Sequence, residues 1–417
     1  MNTVAATVTL GLTLAGWCFW LAAWLLAEDF FGARRRPGPD GNAPGVSVLK
    51  PLKGMDAEAM ANFESFCLQD YPADTEILFG VSDPDDPVVR VVEGLQARHP
   101  ECAIALHVLP EDGGNPKATL LHQLAARARY DVLVTSDSDI RVPPDFLRNA
   151  VAPLADPAVG LVTFPYRGTS PVTFTARLEA LHMTGTFLPS VLVGRRVLGM
   201  RFALGASLAL RRHDLERIGG FAAVTPYLAD DYQLGVRIAR LGLRVHLADT
   251  VVASVLGATS FREQWEREVR WARSTRVSRP LEYPGMLLTH TLPLAVAYVP
   301  LAGASSWAWT VLGLSVVLRL GVAWRVTVLA GARDNLRWLP WLPVRDMLSA
   351  AVWLVGAVGT GVTWRGRHFR VRPDGRMTAR PPAPVRQPPP AREAEAERRP
   401  ELEAEPDHGR AAESKSL

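Results

Sequence analysis

Cysteine is scarce in this sequence, which contains only Cys18, Cys67 and Cys102 among its 417 residues. None of them forms a CxxC pair, and they do not follow the spacing of a metal site. Disulfide frameworks and structural zinc sites need clustered cysteines, so this distribution is typical of a protein from a reducing compartment. The sequence therefore argues against both kinds of cross-link.

The glycine-rich loops of common nucleotide-binding folds are also missing. The sequence has no GxGxxG and no Walker-type loop, and no GxSxG identifies a serine nucleophile. Its formal net charge of +4 is small for the length. We therefore expect no nucleic-acid partner, and charged groups matter here by their location rather than by their sum.

Apolar runs, by contrast, are long, and 48% of the residues are hydrophobic. Residues 4–26 contain no charged side chain, and a helix of that length can cross a hydrocarbon core of roughly 30 Å. The run lacks a charged start and a small-residue cleavage site, so residues 1–28 are predicted to be an anchor rather than a signal peptide. By the positive-inside rule the next segment is cytoplasmic, because three basic residues follow: Arg34, Arg35 and Arg36.

Residues 45–280 have a different pattern, in which short β-rich runs alternate with helix-length segments. The predicted strands are 46–49, 76–81, 104–109, 132–135 and 160–164. Such alternation predicts an α/β domain with a mainly parallel sheet. Ligands of these sheets bind beyond the carboxyl ends of the strands, so candidate site residues are sought there.

Apolar runs return within residues 284–365, at 286–304, 307–330 and 347–362. They predict two to three further spans or interfacial helices, the last run being short for a full span. A basic cluster favours a cytoplasmic end, whereas four spans in total would place that end outside: Arg365, Arg367, Arg370 and Arg372. Residues 373–417 have almost no large apolar side chains and are predicted to be disordered.

Two acidic motifs follow predicted strands. Asp83 comes after 76–81, where a carboxylate can accept hydrogen bonds from a base or ribose, although Asp and Pro alone favour a plain turn. Asp137 and Asp139 come after 132–135 as Asp-x-Asp. Two carboxylates so spaced can hold Mg²⁺ or Mn²⁺, which grips a diphosphate and neutralises charge on the leaving group.

A third acidic motif, Asp230-Asp231, lies at a predicted helix start. Spacing alone favours a helix cap. Alternatively, one of the two carboxylates is a general base that deprotonates an acceptor hydroxyl. Neighbouring negative charge and partial burial would then raise its pKa toward neutrality.

Basic residues form two candidate phosphate contacts. Lys117 opens a helix after a Gly/Pro turn and can meet a phosphate or ribose, or belong to an ordinary cap. Gln264, Arg267, Arg270 and Trp271 fall along one stripe of a predicted helix. Arginine suits bidentate contact with phosphate oxygens, but a basic amphipathic helix can also lie on a membrane surface.

Together these motifs resemble the GT-A glycosyltransferases of the ceramide glucosyltransferase family, of the family 2/21 type, from about residue 47 to residue 280. A bacterial branch associated with hopanoid biosynthesis looks very similar. The matching motifs are Lys50-Pro51-Leu52-Lys53-Gly54, Asp83 with Asp85-Asp86-Pro87, Asn115-Pro116-Lys117, Asp137-Ser138-Asp139-Ile140-Arg141-Val142, Asp230-Asp231-Tyr232 and Arg267-x-x-Arg270-Trp271. Position 230 is Glu in the animal enzymes, and Asp139 completes an Asp-x-Asp that they read as Asp-Ser-Gly.

The resemblance implies a Rossmann-like GT-A domain and inverting transfer from a UDP-sugar to a lipid hydroxyl at the cytosolic face of a bacterial inner membrane. The roles that it implies are donor binding by Lys53, Asp83, Lys117 and Asp137, binding of Mg²⁺ or Mn²⁺ by Asp137 with Asp139, base catalysis by Asp231, and diphosphate and acceptor-side contacts by Arg267, Arg270 and Trp271. Ceramide and a hopanoid stay open as acceptors, and glucose and N-acetylglucosamine stay open as donor sugars.

Two other functions remain alternatives. A processive polysaccharide synthase needs a bundle of spans to pass its polymer, and the predicted spans are few. A non-catalytic lipid-binding scaffold predicts that the acidic and arginine motifs need not converge in the fold. The apolar segment 174–193 is interpreted as a core helix or, less strongly, as the lining of a lipid-access groove.

Overall fold

The computed structural model describes residues 3–33, 43–110, 114–364 and 367–379. Predictions that concern Arg34 to Arg36, Arg365 or residues 380–417 fall outside this part of the chain.

A seven-stranded sheet forms the centre of the domain, with strand order β3-β2-β1-β4-β8-β6-β9. Four of its neighbouring pairs are parallel, and only the two pairs that involve β8 are antiparallel. Its strands are β1 (Val46–Pro51), β2 (Thr75–Val81), β3 (Ala103–Val108), β4 (Val132–Ser136), β6 (Val159–Thr163), β8 (Ser207–Arg211) and β9 (Arg244–Leu247). The five strands predicted from the sequence and the mainly parallel sheet are confirmed.

Helices cover both faces of this sheet because side chains of a strand point alternately to opposite faces. Within β4, Val132 and Val134 pack against helices that contribute phenylalanine side chains on one face of the sheet. Leu133 packs against leucine-rich helices on the other face. The first face carries α2 (Ala59–Cys67), α3 (Val88–Arg98) and α5 (Phe146–Val151), and the second α4 (Pro116–Ala125), α8 (Arg212–Arg217) and α9 (Asp230–Arg240). Two buried layers therefore fix the carboxyl end of β4.

A second sheet, which was not predicted, lies beside the carboxyl end of β4. It has the order β5-β10-β7, with β5 (Ile140–Arg141), β7 (Tyr166–Pro171) and β10 (Val252–Gly257). Segment 174–193 follows β7 as α6 (Phe174–His182), a π-helix (Met183–Phe187) and the start of α7 (Leu188–Leu198). Most of its apolar side chains are buried, as a core helix requires.

Among the described residues, three helices are long and apolar enough to cross a membrane: Thr3–Gly32 (α1), Pro284–Leu301 and Ser306–Leu329 (α12). The second consists of a 3₁₀ segment, Pro284–His290, and α11 (Thr291–Leu301). Both α11 and α12 pack against α1. The third apolar run of the C-terminal half forms α13 (Leu342–Gly356), whose 15 residues are fewer than a full span needs.

The charges within α12 are paired. Arg319 is fully buried, donates to both carboxylate oxygens of Asp346 at 2.8 and 2.9 Å, and lies 3.7 Å from the Trp20 ring. Arg325 pairs with Glu28 of α1. Pairing removes the cost of an isolated charge, so α12 remains a span despite its two arginines.

A small C-terminal sheet corrects one boundary of the predicted organisation. It contains β11 (Gly361–Trp364), β12 (Arg367–Val371) and β13 (Met377–Ala379) in antiparallel order. Residues 373–379, predicted to belong to a disordered tail, complete it because the backbone of Met377 bonds to Pro226 and that of Arg376 bridges Tyr227. The remaining helix, α10 (Phe261–Ser278), packs between this sheet, α6 and α13.

Candidate active site

The end of β4 carries a carboxylate that is held by a lysine. The Asp137 amide donates to the carbonyl oxygen of Ala206 at 3.1 Å, which fixes the backbone as the strand ends. Lys117 Nζ lies 2.5 Å from Asp137 Oδ1 and donates to the Gly205 carbonyl at 3.0 Å. The predicted Lys117 and Asp137 therefore meet across α4 and β4.

Asn115 explains why Lys117 points to this edge. Its side chain caps α4 by accepting from the Ala118 amide at 3.1 Å, and Pro116 fills the first helical turn. The Asn115 amide group also donates to the Tyr227 carbonyl at 3.1 Å and to Asp230 Oδ1 at 3.2 Å. One capping residue thus ties α4 to the acidic start of α9.

The two adjacent aspartates have different surroundings. Asp230 is buried and bonded to Asn115, whereas Asp231 Oδ1 accepts from the Tyr232 amide at 2.7 Å. Burial raises the pKa of Asp231 to about 7, and the negative charge of Asp230 adds to this, while Lys117 opposes it. A carboxylate with that pKa can accept a proton near neutral pH, so the base interpretation is supported by geometry that spacing could not give.

Gly205 faces Asp231 across the site. A Cβ added at this glycine would lie 2.8 Å from Asp231 Oδ2. The carboxylate is the movable end of a side chain, so the alanine variant would displace it without breaking the fold. The absence of a side chain at position 205 therefore keeps the Asp231 carboxylate in place.

We expect Gly205→Ala to lower the catalytic rate by about 10–100-fold with little loss of thermal stability, because small displacements of a reacting group are costly. The measurement is kcat together with Tm. Gly194→Ala is the matched control, since its Cβ would meet nothing within 4 Å. Equal kcat values for the two variants would contradict the assignment of Asp231.

A second carboxylate, Asp139, lies beside Asp137 near a buried lysine. Ser254 Oγ donates to Asp139 Oδ2 at 2.6 Å, and burial, then the charge of Asp137, raises the pKa of Asp139 to about 6. Lys50 is fully buried, donates to the Asp137 carbonyl at 2.9 Å and lies 4.0 Å from the Phe66 ring. Burial lowers the pKa of Lys50 to about 7.

The donor set of Asp137 and Asp139 fits a hard divalent cation. Both offer carboxylate oxygens, which Mg²⁺ and Mn²⁺ prefer. Like charge raises the pKa of Asp139, and a cation between the two carboxylates would relieve that repulsion. The sequence motif did not reveal a third negative charge, Asp56, that acts on the same carboxylate.

The loop after β2 forms a turn, as its composition favours. Asp83 Oδ1 accepts from the Asp85 amide at 2.9 Å. Asp86 accepts from the Gly54 amide at 2.7 Å and so ties this loop to the exposed Lys53 turn after β1. Asp83 and Lys53 are thus on neighbouring loops at the same sheet edge as Asp137, where donor binding by either remains a prediction.

Helix α10 begins with a capping box, in which Ser260 and Glu263 satisfy each other's backbone amides. Arg267 forms an ion pair with the buried Glu179 of α6, and Trp271 is 38% exposed. Arg270 lies 5.4 Å from the Trp364 ring of β11. The predicted stripe therefore divides its contacts between α6 and the C-terminal sheet.

Tyr166, which the sequence did not single out, connects these two groups. The charges that raise its pKa, after burial itself, come from Asp231, Glu179, Asp137 and Asp139. The ring also lies 5.0 Å from that of Phe187. Tyr166 is therefore near both the acidic cluster and Glu179, on the strand β7 that packs against α6.

The sequence model of Glycosyl transferase family 21 matches residues 4–377 of this chain. The chain belongs to this family. The match extends over the membrane helices and the C-terminal sheet as well as the catalytic domain. This family 21 glycosyltransferase has the GT-A domain with a mostly parallel sheet that the motifs predicted.

Individual proteins and one solved structure are also similar to this chain. Ceramide glucosyltransferase 1 of Caenorhabditis elegans is 25% identical over 359 residues, covering 81% of this chain and 74% of that protein. The UDP-forming cellulose synthase catalytic subunit of Komagataeibacter sucrofermentans is 27% identical over 190 residues, 43% of this chain and 25% of that protein. A mannosyltransferase structure from Pyrobaculum calidifontis, with GDP-Man and Mn²⁺, has a TM-score of 0.52 and 21% identity over 85% of this chain and 97% of that chain, which shows the fold alone.

Proposed function

We propose that this family 21 enzyme transfers a sugar from a UDP-sugar to the hydroxyl of a membrane lipid, with inversion, at the cytosolic face of a bacterial inner membrane. The observation that carries the proposal is the meeting of Asp231, with its pKa raised to about 7, and the Lys117–Asp137 pair. A proton acceptor and a phosphate-side group at one sheet edge are what such a transfer needs.

In the chemical step, the acceptor side and the donor side of the site have separate roles. The Asp231 carboxylate takes the proton of the lipid hydroxyl while the hydroxyl oxygen attacks the anomeric carbon. The bond between the anomeric carbon and the phosphate oxygen of UDP breaks at the same time. Attack from the face opposite the leaving group inverts the configuration. Lys117 and the guanidinium groups of Arg267 and Arg270 would hold the diphosphate as its negative charge increases.

Asp137 and Asp139 would hold Mg²⁺ or Mn²⁺, which supplies charge neutralisation for the departing diphosphate. The mannosyltransferase structure, which is a complex with GDP-Man and Mn²⁺, supports the pairing of a nucleotide sugar with a divalent cation on this fold. Donor contacts by Asp83 and Lys53, and an acceptor-side contact by Trp271, complete the proposed assignment.

Removal of divalent cations tests the metal. We expect excess EDTA to abolish transfer, and Mg²⁺ or Mn²⁺ added beyond the chelator to restore it, because two adjacent carboxylates lose their counter-charge. Initial rates in washed membranes measure this. Undiminished transfer in excess chelator would remove the metal role from Asp137 and Asp139.

The number of candidate spans after the catalytic domain supports a location of the site and the C-terminal sheet on the same side of the membrane. Two candidate spans follow the catalytic domain, and an even number of crossings returns the chain to the side from which it started. The contacts of Met377 and Arg376 with the loop before α9 support that arrangement. We place the catalytic domain in the cytoplasm because the positive-inside rule favours that side.

Ceramide and a hopanoid are the proposed acceptors, and glucose and N-acetylglucosamine the proposed sugars. The deciding experiment incubates membranes that contain the protein with labelled UDP-glucose or UDP-N-acetylglucosamine and each lipid, followed by mass spectrometry of the labelled product. A labelled lipid with one added sugar supports the proposal. A polymer would favour the processive alternative, and no transfer with any combination would favour the scaffold.

A further inference from the structure

A second group of polar side chains is buried between the catalytic domain and the candidate spans. We call it the buried polar array. It consists of Glu179 and His182 on α6, Gln264 and Glu268 on α10, His290 before α11, and Arg345 on α13. All but His182 are at most 5% exposed. Polar side chains at such a place are rare and typically functional.

The charges of this region cancel in pairs. Arg345 Nη2 donates to Glu268 Oε2 at 2.8 Å, and Arg267 pairs with Glu179. The Arg319–Asp346 pair lies next to them, since Asp346 directly follows Arg345 on α13. The three arginines Arg345, Arg267 and Arg319 are thus each paired with one carboxylate. The array and the pairs beside it therefore present no net charge to a ligand.

Several polar atoms of the array nevertheless have no hydrogen-bond partner among the described residues. They are Nε and Nη1 of Arg345, Oε1 of Gln264, Nδ1 of His182 and Nε2 of His290. Gln264 donates to Glu268 at 2.7 Å through its nitrogen, which leaves its oxygen to accept. Unsatisfied buried donors and acceptors are costly and therefore indicate a polar ligand.

The backbone is irregular at the same place. The π-helix Met183–Phe187 begins directly after His182, and its Gly185 carbonyl accepts from Arg319 Nη1 at 3.1 Å. Such insertions often mark functional sites in helices.

The array is continuous with the candidate active site. Glu179 belongs to the array and binds Arg267, and its helix α6 packs against β7, which carries Tyr166. The candidate span Pro284–Leu301 includes His290, so the array also borders an apolar helix. A lipid whose head meets the array would therefore keep its apolar chains beside that helix.

We propose that the buried polar array binds the uncharged, hydroxyl- or amide-bearing head of the lipid acceptor. Donors of Arg345 and the histidines meet oxygens of that head, and Gln264 Oε1 accepts from a hydroxyl or amide hydrogen. Because the ion pairs cancel, a phosphorylated head is excluded. The inference rests on the proposed function and names the chemical class of its acceptor.

Direct binding tests this inference without relying on transfer. The full-length protein in detergent is titrated with a fluorescent short-chain ceramide and, separately, with a fluorescent hopanoid polyol. We expect at least one neutral probe to bind, and ceramide 1-phosphate to compete more weakly than ceramide. Failure of both neutral probes to bind, or tighter binding of the phosphorylated lipid, would overturn the proposal.

Variants locate the site. We expect Gln264→Leu and His182→Phe each to weaken the Kd of the lipid about ten-fold, as the loss of a buried hydrogen bond predicts, with UDP binding unchanged. Gln123→Leu is the control, because Gln123 lies on α4 and donates to the Pro110 carbonyl. A melting curve for each variant ensures that folded protein is compared, and lipid affinity unchanged in both folded array variants would refute the site.

The two proposals fail in different ways. If lipid binding depends on Gln264 but no sugar is transferred, the proposed function fails and the array stands as a lipid site. If transfer proceeds and the lipid KM is the same in the array variants as in the wild type, the array fails and the proposed function stands.

Discussion

Replacement of Asp231 by asparagine is expected to lower kcat for sugar transfer by about 10²–10⁴-fold, the usual contribution of a positioned general base. The amide keeps the shape of the side chain and its hydrogen bond from the Tyr232 amide, but it cannot take a proton. Donor affinity should change little, since the diphosphate contacts come from other residues. Transfer kinetics and UDP binding by calorimetry measure both quantities.

The same variant should melt at a higher temperature than the wild type at pH 8. An aspartate titrates near pH 4 in an unfolded chain, and in this fold the pKa of Asp231 is raised to about 7. Stability therefore falls as the pH rises between these values, because ionisation is easier in the unfolded chain. The neutral amide avoids that loss, so reduced activity with a raised Tm would separate catalysis from unfolding.

The pH profile gives an independent check. In the wild type, kcat/KM should fall below about pH 7 as Asp231 becomes protonated, and this limb should be missing in Asp231→Asn. Asp131→Asn is the control, at the opposite end of β4 and 91% exposed. Full transfer by the Asp231 variant, or an unchanged acid limb, would assign the base elsewhere.

The second large effect is expected for Asp137→Asn. The change removes the ion pair with Lys117 and one oxygen of the proposed cation site. Loss of several kcal/mol of charge stabilisation corresponds to about 10²–10³-fold in rate. We expect the Mg²⁺ concentration for half-maximal activity to rise as well, and a metal titration of initial rates measures both effects.

Asp156→Asn is the matched control for that experiment. Asp156 also forms an ion pair, with Arg244, but it lies in a surface loop before β6. The control should leave the rate and the metal dependence unchanged. An Asp137 variant with the metal titration of the wild type would mean that the Asp-x-Asp does not hold the cation.

Much of the catalytic domain was predictable because its signals are local. Strands such as β1 and β4 are short segments rich in valine and leucine, and the polar residues that follow such strands must lie at one sheet edge. Asp137, Lys117 and Asp231 could therefore be chosen from their positions after strands and at helix starts. Spacing alone favoured a helix cap for this pair, but the N-cap of α9 is Ala229, without a side-chain hydrogen bond; Asp230 accepts from Asn115 instead, and the pKa of Asp231 is raised.

The features that escaped prediction depend on distant pairings. In the sequence, nothing separates Tyr166 from other strand residues. In the structure, β7 brings it near the carboxylates of the acidic cluster and near Glu179. Arg345 and Glu268 are 77 positions apart, and neither suggests the other in the sequence. The strand Met377–Ala379 has too few apolar residues to be recognised, and it forms because β12 and the Pro226 carbonyl are already in place.

The contact between the strand Met377–Ala379 and the loop before α9 can form only late in the synthesis of the chain. Arg376 bridges Tyr227, whose carbonyl is bonded to Asn115 beside Asp230. At ordinary synthesis speeds the ribosome needs roughly 8–30 s to travel from the one residue to the other. During that interval the two later candidate spans are synthesised, so the loop next to Asp231 receives its final support only after both of them have been made.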